Sequence, residues 1–231
     1  MSYEYKFDKE RWWFNSVCSH YNNPEKCYRA CIRFMEFDYL YYKSHIPTKM
    51  QYPISLKPDK SDRESFLRLR EIKDDIVNWV DGGNSLLIYS PQCGNGKTSW
   101  AIKLMQKYFE KVWAGNGFRC RGLFVNVTDF LLLAKENIKN QDDEFDAMRE
   151  NIRSADLVIW DDIGVTALSK YDYDMLMGMI NNRVLNGMSN IYTSNSTEEK
   201  MEEYLGQRLK SRIFNESEII AFIGGDRRGV H

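Results

Sequence analysis

From Ser61 onward the apolar positions alternate between two spacings. Phe66, Leu69, Ile72, Ile76 and Val80 recur every three or four residues behind Ser61-Asp62, which predicts a capped helix running to about Val80. Asp81-Gly82-Gly83-Asn84 then makes a turn, and the short apolar run Ser85–Tyr89 predicts a buried strand. Lys97 to Trp113 returns to helical spacing, with Trp100/Ala101, Leu104/Met105, Tyr108/Phe109 and Val112/Trp113 forming one stripe. Gly122–Val127 predicts a second strand, followed by a helix capped by Thr128 or Asp129. Asp156–Trp160 predicts a third strand, Tyr171–Leu185 a helix, Asn190–Thr193 a fourth strand and Glu218–Ile223 a last one. Ser196-Thr-Glu-Glu199 has the spacing of a capping box and opens a helix before that last strand. Such alternation of apolar strands with helices implies an α/β fold, a parallel sheet covered on both faces.

The first sixty residues have a different texture. Aromatics crowd them (Trp12, Trp13, Phe14, Tyr21, Tyr28, Phe34, Phe37, Tyr39, Tyr41 and Tyr42 among others), with three of the chain's 5 cysteines. Pro47, Pro53 and Pro58 break helix and ladder pairing, so the expected division is a small, mainly helical module over 1–46, a linker over 47–60 and a larger domain over 61–231. At 231 residues the chain is long enough for a full core. The 32 Lys+Arg nearly cancel the 33 Asp+Glu, so a nucleic-acid partner would need a local patch rather than a global basic field. An odd number of cysteines, no secretory signal and no membrane-length apolar run lead to the expectation of a soluble cytoplasmic protein without disulfides.

The segment with most chemistry is Ser90-Pro-Gln-Cys-Gly94-Asn95-Gly96-Lys97-Thr98-Ser99, between the first strand and a strong helix. Gly94 and Gly96 permit a nest of inward N–H groups, and the helix beginning at Lys97 points its positive end at the same place. Lys97 is expected to reach the β- and γ-phosphates of ATP, and the Thr98 hydroxyl to ligate Mg2+. Pro91 stands where such loops usually begin with glycine. The third strand delivers Asp161 and Asp162 at its C-terminal end, where Asp161 suits the Mg2+ shell and Asp162 the attacking water. Asn195, at the tip of the fourth strand, either hydrogen-bonds the γ-phosphate or caps the next helix.

Cys18, His20, Cys27 and Cys31 add up to one tetrahedral Zn2+ set. The alternative is three buried thiols in an aromatic core beside a surface histidine.

Taken in order, Gly94–Ser99, Leu157–Asp162, Ile191-Tyr-Thr-Ser-Asn195, Leu205-Gly-Gln-Arg-Leu-Lys-Ser-Arg-Ile213 and Gly225-Asp-Arg-Arg228 resemble the AAA+ ATPases of the DnaC/DnaI helicase-loader group, which includes the IstB-type transposition helpers. The resemblance spans about Ser61 to Gly229. It implies an ATPase that delivers a replicative ring helicase onto single-stranded DNA. Asn195 would sense the γ-phosphate, and Arg212 would act on a neighbouring subunit's nucleotide in a homo-oligomer, with Arg208 a second candidate. Arg228 would contact the phosphates in cis, although little chain follows it to form the helical lid such contacts often use. The group's zinc-bound, helicase-binding front modules fit the cysteine cluster in kind but not in spacing. Asp162 in place of the usual glutamate implies slow hydrolysis. Three other readings stay open: a transposition helper, a P-loop kinase acting on a small acceptor, and a non-catalytic, nucleotide-gated DNA-binding module, which the short Asp162 allows.

Overall fold

Four of the five strands carry apolar residues on both faces, and the two faces belong to different cores; the edge strand, residues 217–221, buries only Ile220, in the first of them. The computed structural model describes residues 18, 31–57, 59–115, 117–140 and 142–226. Five strands, β1 Ser85–Tyr89, β2 Gly122–Asn126, β3 Leu157–Asp161, β4 Ser189–Ser194 and β5 Ser217–Ala221, pair in parallel in the order β2-β3-β4-β1-β5. Leu86, Ile88, Phe124, Ile159 and Ile191 enter one cluster, whereas Leu87, Leu123, Val125, Val158, Trp160 and Tyr192 enter the other. Two-residue periodicity on a doubly covered sheet requires this split.

Helices α2 Arg63–Asp74, α3 Ile76–Asp81 and α4 Lys97–Val112 cover the first face. The single helix expected from Ser61 to Val80 is broken at Asp75, whose backbone leaves the helical region at φ −108°, ψ 26°. Asp75 stands at the junction as the first residue before α3, and its carboxylate accepts the Asn78 side-chain amide at 2.6 Å across the first turn. The apolar stripe survives the break, and Phe66, Leu69, Ile72, Ile76 and Val80 are all buried.

Helices α5 Val127–Asn140, α6 Asp143–Ser154, α7 Lys170–Leu185 and α8 Glu198–Asn215 accompany the second face. Three helix starts differ from expectation. α5 begins directly after β2, and Asn126 takes the capping role by accepting the Asp129 N–H at 3.1 Å. Thr197, not Ser196, caps α8, because the Ser196 hydroxyl donates to the Gly164 carbonyl at 2.6 Å. α6 was not anticipated; its Asp142 cap and the apolar positions Phe145, Met148 and Ile152 are its sequence signal. α8 is also kinked at Gly206 (φ 73°, ψ 156°), a conformation that essentially only glycine adopts.

Helix α1 Ile32–Lys43 lies on the α4 side, with Phe37, Leu40, Tyr41 and Ile46 in that core and the Phe124 N–H donating to the Ser44 carbonyl at 2.7 Å. Residues 46–57 then cross α4. Gln106 donates to the carbonyls of Met50 and Tyr52, Lys103 donates to that of Ile54, and Leu56 arrives beside Gly96. Among the described residues no helix is long and apolar enough to cross a membrane.

Candidate nucleotide site

All five parallel strands end at one edge of the sheet, so the segments that follow them meet there. After β1 the chain forms the loop 90–96. Gly94 (φ 73°) and Gly96 (φ 98°) take left-handed angles, which a side chain would strain, and Gly96 leads straight into α4. Lys97 is only 4% exposed and its ammonium donates to the Gln92 carbonyl at 2.7 Å and to Asn95 Oδ1 at 3.0 Å. Asn95, itself buried, donates to the Gly224 carbonyl at 3.4 Å; the Gly224 N–H in turn donates to the buried Asp62 carboxylate. Asp62, expected to help cap the first helix, instead accepts the N–H groups of Ile223 and Gly224 and ties the segment after β5 to the phosphate loop.

Thr98 donates to Asp161 Oδ1 at 2.8 Å, joining the loop to the end of β3. Thr193 of β4 donates to the same oxygen at 2.7 Å, and the Asn126 amide bonds the carboxylate as well. Burial pushes the Asp161 carboxyl above its ordinary pKa, against the pull of these hydrogen bonds and the Lys97 charge. Asp162 turns into the left-handed region (φ 57°), and its carboxylate accepts the Asn195 amide at 2.5 Å. Burial first, and the Asp161 charge second, raise its pKa too. Hard oxygen donors at Thr98 and Asp161, beside the loop of Gly94 and Gly96, fit Mg2+, which prefers oxygen and keeps part of its ligand set for phosphates and water.

Lys97, Thr98, Asp161, Asp162 and Asn195 therefore meet as the sequence expects, and Asn195 faces Asp162. Three partners were not anticipated: Thr193, Asn126 and Asp62. Thr193 lies inside a motif already singled out, but its role needs the β3–β4 register, which pairs Trp160 with Tyr192 and thereby sets Thr193 beside Asp161.

Arg212 is elsewhere. It donates to Asn181 Oδ1 at 2.5 Å and to Glu216 at 3.2 Å, near the C-terminal end of α8. β5 begins at Ser217 opposite Ser85, the first residue of β1, so Arg212 sits toward the strand-start edge, away from its own phosphate loop. Arg208 is exposed beyond the Gly206 kink. Arg228, His20 and Cys27 lie outside the described residues. Cys18 and Cys31 are half-buried free thiols, and among the described residues no three His, Cys, Asp or Glu side chains gather as a metal set.

A five-stranded parallel sheet in this order, with a Gly-Asn-Gly-Lys-Thr loop after β1 and paired acids at the end of β3, defines a P-loop nucleotide-binding protein of the AAA+ class. The chain belongs to the family of IstB-like ATP binding proteins, whose model matches residues 64–224. Among curated proteins it is similar to the replicative helicase loader DnaC of Escherichia coli K12, 25% identical over 137 residues that make up 59% of this chain and 53% of DnaC. The chain thus spans about half the length of the curated relatives it matches. Among solved structures, a DnaC helicase loader shares the fold at TM-score 0.60 and 19% identity, over 74% of this chain and 94% of that one. DnaI does so at TM-score 0.61 and 16% identity, over 78% and 96%. The replication initiator DnaA, bound to AMPPCP and single-stranded DNA, follows at 0.58 and 18%, over 71% and 47%.

Proposed function

We propose that this chain is an AAA+ ATPase that loads a replicative ring helicase onto single-stranded DNA. The observation that carries the reading is the similarity to a replicative helicase loader, joined to a site that has its phosphate loop and acids at one edge of the sheet and Arg212 toward the other. A guanidinium so placed is out of reach of its own nucleotide, so a catalytic role for it requires a homo-oligomer that binds ATP between subunits.

In this reading the loop N–H groups and Lys97 hold the triphosphate tail. Mg2+, when bound by Thr98 and Asp161, supplies charge neutralisation at the β- and γ-phosphates. Asp162, held by Asn195, orients the attacking water and takes its proton. The partner's Arg212 faces the charge that develops on the γ-phosphate. Lys135 of α5, a basic side chain that could otherwise offer its charge to DNA, is paired with Asp172 at 2.8 Å. The front module is proposed to hold Zn2+ through Cys18, His20, Cys27 and Cys31. About one equivalent of zinc in the purified full chain, lost in Cys27→Ser, is the expected result; a metal-free wild type removes the idea.

Arg212→Ala is expected to slow turnover at least about a hundredfold while nucleotide affinity stays within about threefold. Mixing it with Lys97→Ala chains should restore part of the turnover, because each supplies what the other lacks; no rescue argues against action between subunits. The partner is tested by ATP-dependent co-purification with the replicative ring helicase. The family's IstB-like description favours a second reading, and retention of a transposase instead of the helicase would decide for it.

A further inference from the structure

We propose that Thr193 is the positioning residue of this site, a single side chain on β4 that clamps both acids at the end of β3 and lets an aspartate stand where a longer acid would otherwise be needed. The inference rests on the hydrolytic reading of the site given above. Thr193 is fully buried. A hydroxyl has one proton to give and lone pairs to receive. Thr193 gives its proton to Asp161 Oδ1 at 2.7 Å and receives the N–H of Asp162 at 3.1 Å. Its carbonyl accepts the N–H of Ile163 at 2.9 Å. Three consecutive residues are therefore stapled to one.

What the staple holds is a strained backbone. Asp162 sits at φ 57°, a left-handed conformation that costs a non-glycine residue about 1 kcal/mol or more and persists where its surroundings over-determine it. The turn sends the Asp162 carboxylate to the Asn195 amide. An aspartate is one methylene shorter than a glutamate, so its reach has to come from the main chain. Without the hydroxyl, Asp161 loses one of its fixed donors and the Asp162 N–H loses its acceptor. The turn can then relax toward ordinary strand geometry and withdraw the carboxylate from Asn195.

The test compares Thr193→Val, which keeps the shape and removes the hydroxyl, with Thr193→Ser, which keeps the hydroxyl and removes a methyl group. Steady-state ATPase, nucleotide affinity in EDTA and melting temperature are measured on the full chain. Thr193→Val is expected to lower kcat at least about tenfold, with KM and EDTA affinity within about threefold, whereas Thr193→Ser should stay within about threefold of wild type throughout. A packing role alone predicts the reverse ranking, with the methyl-deleted variant the worse. Wild-type kcat in Thr193→Val, or equal losses in both variants, overturns the proposal. Should Thr193→Val not fold, Thr193→Cys, whose thiol is a weak donor, takes its place under the same criteria. If the wild type itself proves unable to hydrolyse ATP, the hydrolytic reading fails on its own account. The clamp is then read from the Mg2+ needed to half-saturate nucleotide binding, where a rise of at least about threefold in Thr193→Val supports it and no change refutes it.

Discussion

Replacing Arg183 with methionine should lower the melting temperature by about 6–12 °C, a large effect for a residue remote from the phosphate loop. Arg183 has no solvent exposure, and its guanidinium donates to Asn190 Oδ1 at 2.8 Å and to the carbonyls of Ile152 (2.6 Å), Ala155 (2.7 Å), Asp156 (3.5 Å) and Ser189 (2.6 Å). Two of these carbonyls belong to the end of α6, where helices leave acceptors unpaired; the others open β3 and β4. No carboxylate is among the partners these bonds supply, and burial pulls the guanidinium pKa down to about 10. Methionine fills similar space but strands several buried acceptors, each costing about 1–3 kcal/mol, partly offset because a charge no longer has to be desolvated. A net loss of about 3 kcal/mol corresponds to the stated shift at about 2–4 °C per kcal/mol for a chain of this size. Arg183→Lys should fare little better, since one ammonium has three donors and no planar fork. A melting point within about 2 °C of wild type for Arg183→Met would show that the five bonds contribute nothing net.

Arg183 also marks where sequence reading ran out. In Asn181-Asn-Arg-Val-Leu185 it looks like one more surface cation, and only the meeting of α6, β3 and β4 makes it a hub. The strands were legible for the opposite reason. β1, β2 and β3 are short apolar runs buried on both sides, and no other element buries such a run as simply, whereas β4 and β5 show only the pairs Ile191-Tyr192 and Ile219-Ile220. Asp75 and the start of α8 went astray because several polar residues in a row can each cap or break a helix, and tertiary partners choose among them. Gly164 supplied the acceptor that took Ser196 out of the capping role. Of the candidate site, the order of motifs gave Lys97, Thr98, Asp161, Asp162 and Asn195. The tie from Asp62 through Gly224 to Asn95 joins residues well over a hundred positions apart, which no local pattern records.

Lys97→Ala should abolish measurable nucleotide binding in calorimetry, weakening it by about 10²–10³-fold, while leaving the fold intact. The ammonium is nearly buried, so it has little water to lose when a triphosphate arrives, and its partners include the neutral oxygens of Gln92 and Asn95. An anion is a stronger partner than either, and charge-assisted bonds in such a setting are worth about 2–5 kcal/mol when one side is truncated. At 1.4 kcal/mol per tenfold that range converts to about 30- to 4,000-fold, which brackets the stated loss. The ammonium's hydrogen bonds to Gln92 and Asn95 join residues of the loop rather than strands or helices, so the melting temperature without nucleotide should move by only a few degrees. Asp62→Ala gives an informative contrast. It removes the anchor of the segment after β5 without touching a phosphate ligand, so it should lower stability as well as affinity. Lys97→Ala binding ATP within about threefold of wild type would mean that the loop amides hold the triphosphate unaided, and the role given to Lys97 would have to be withdrawn.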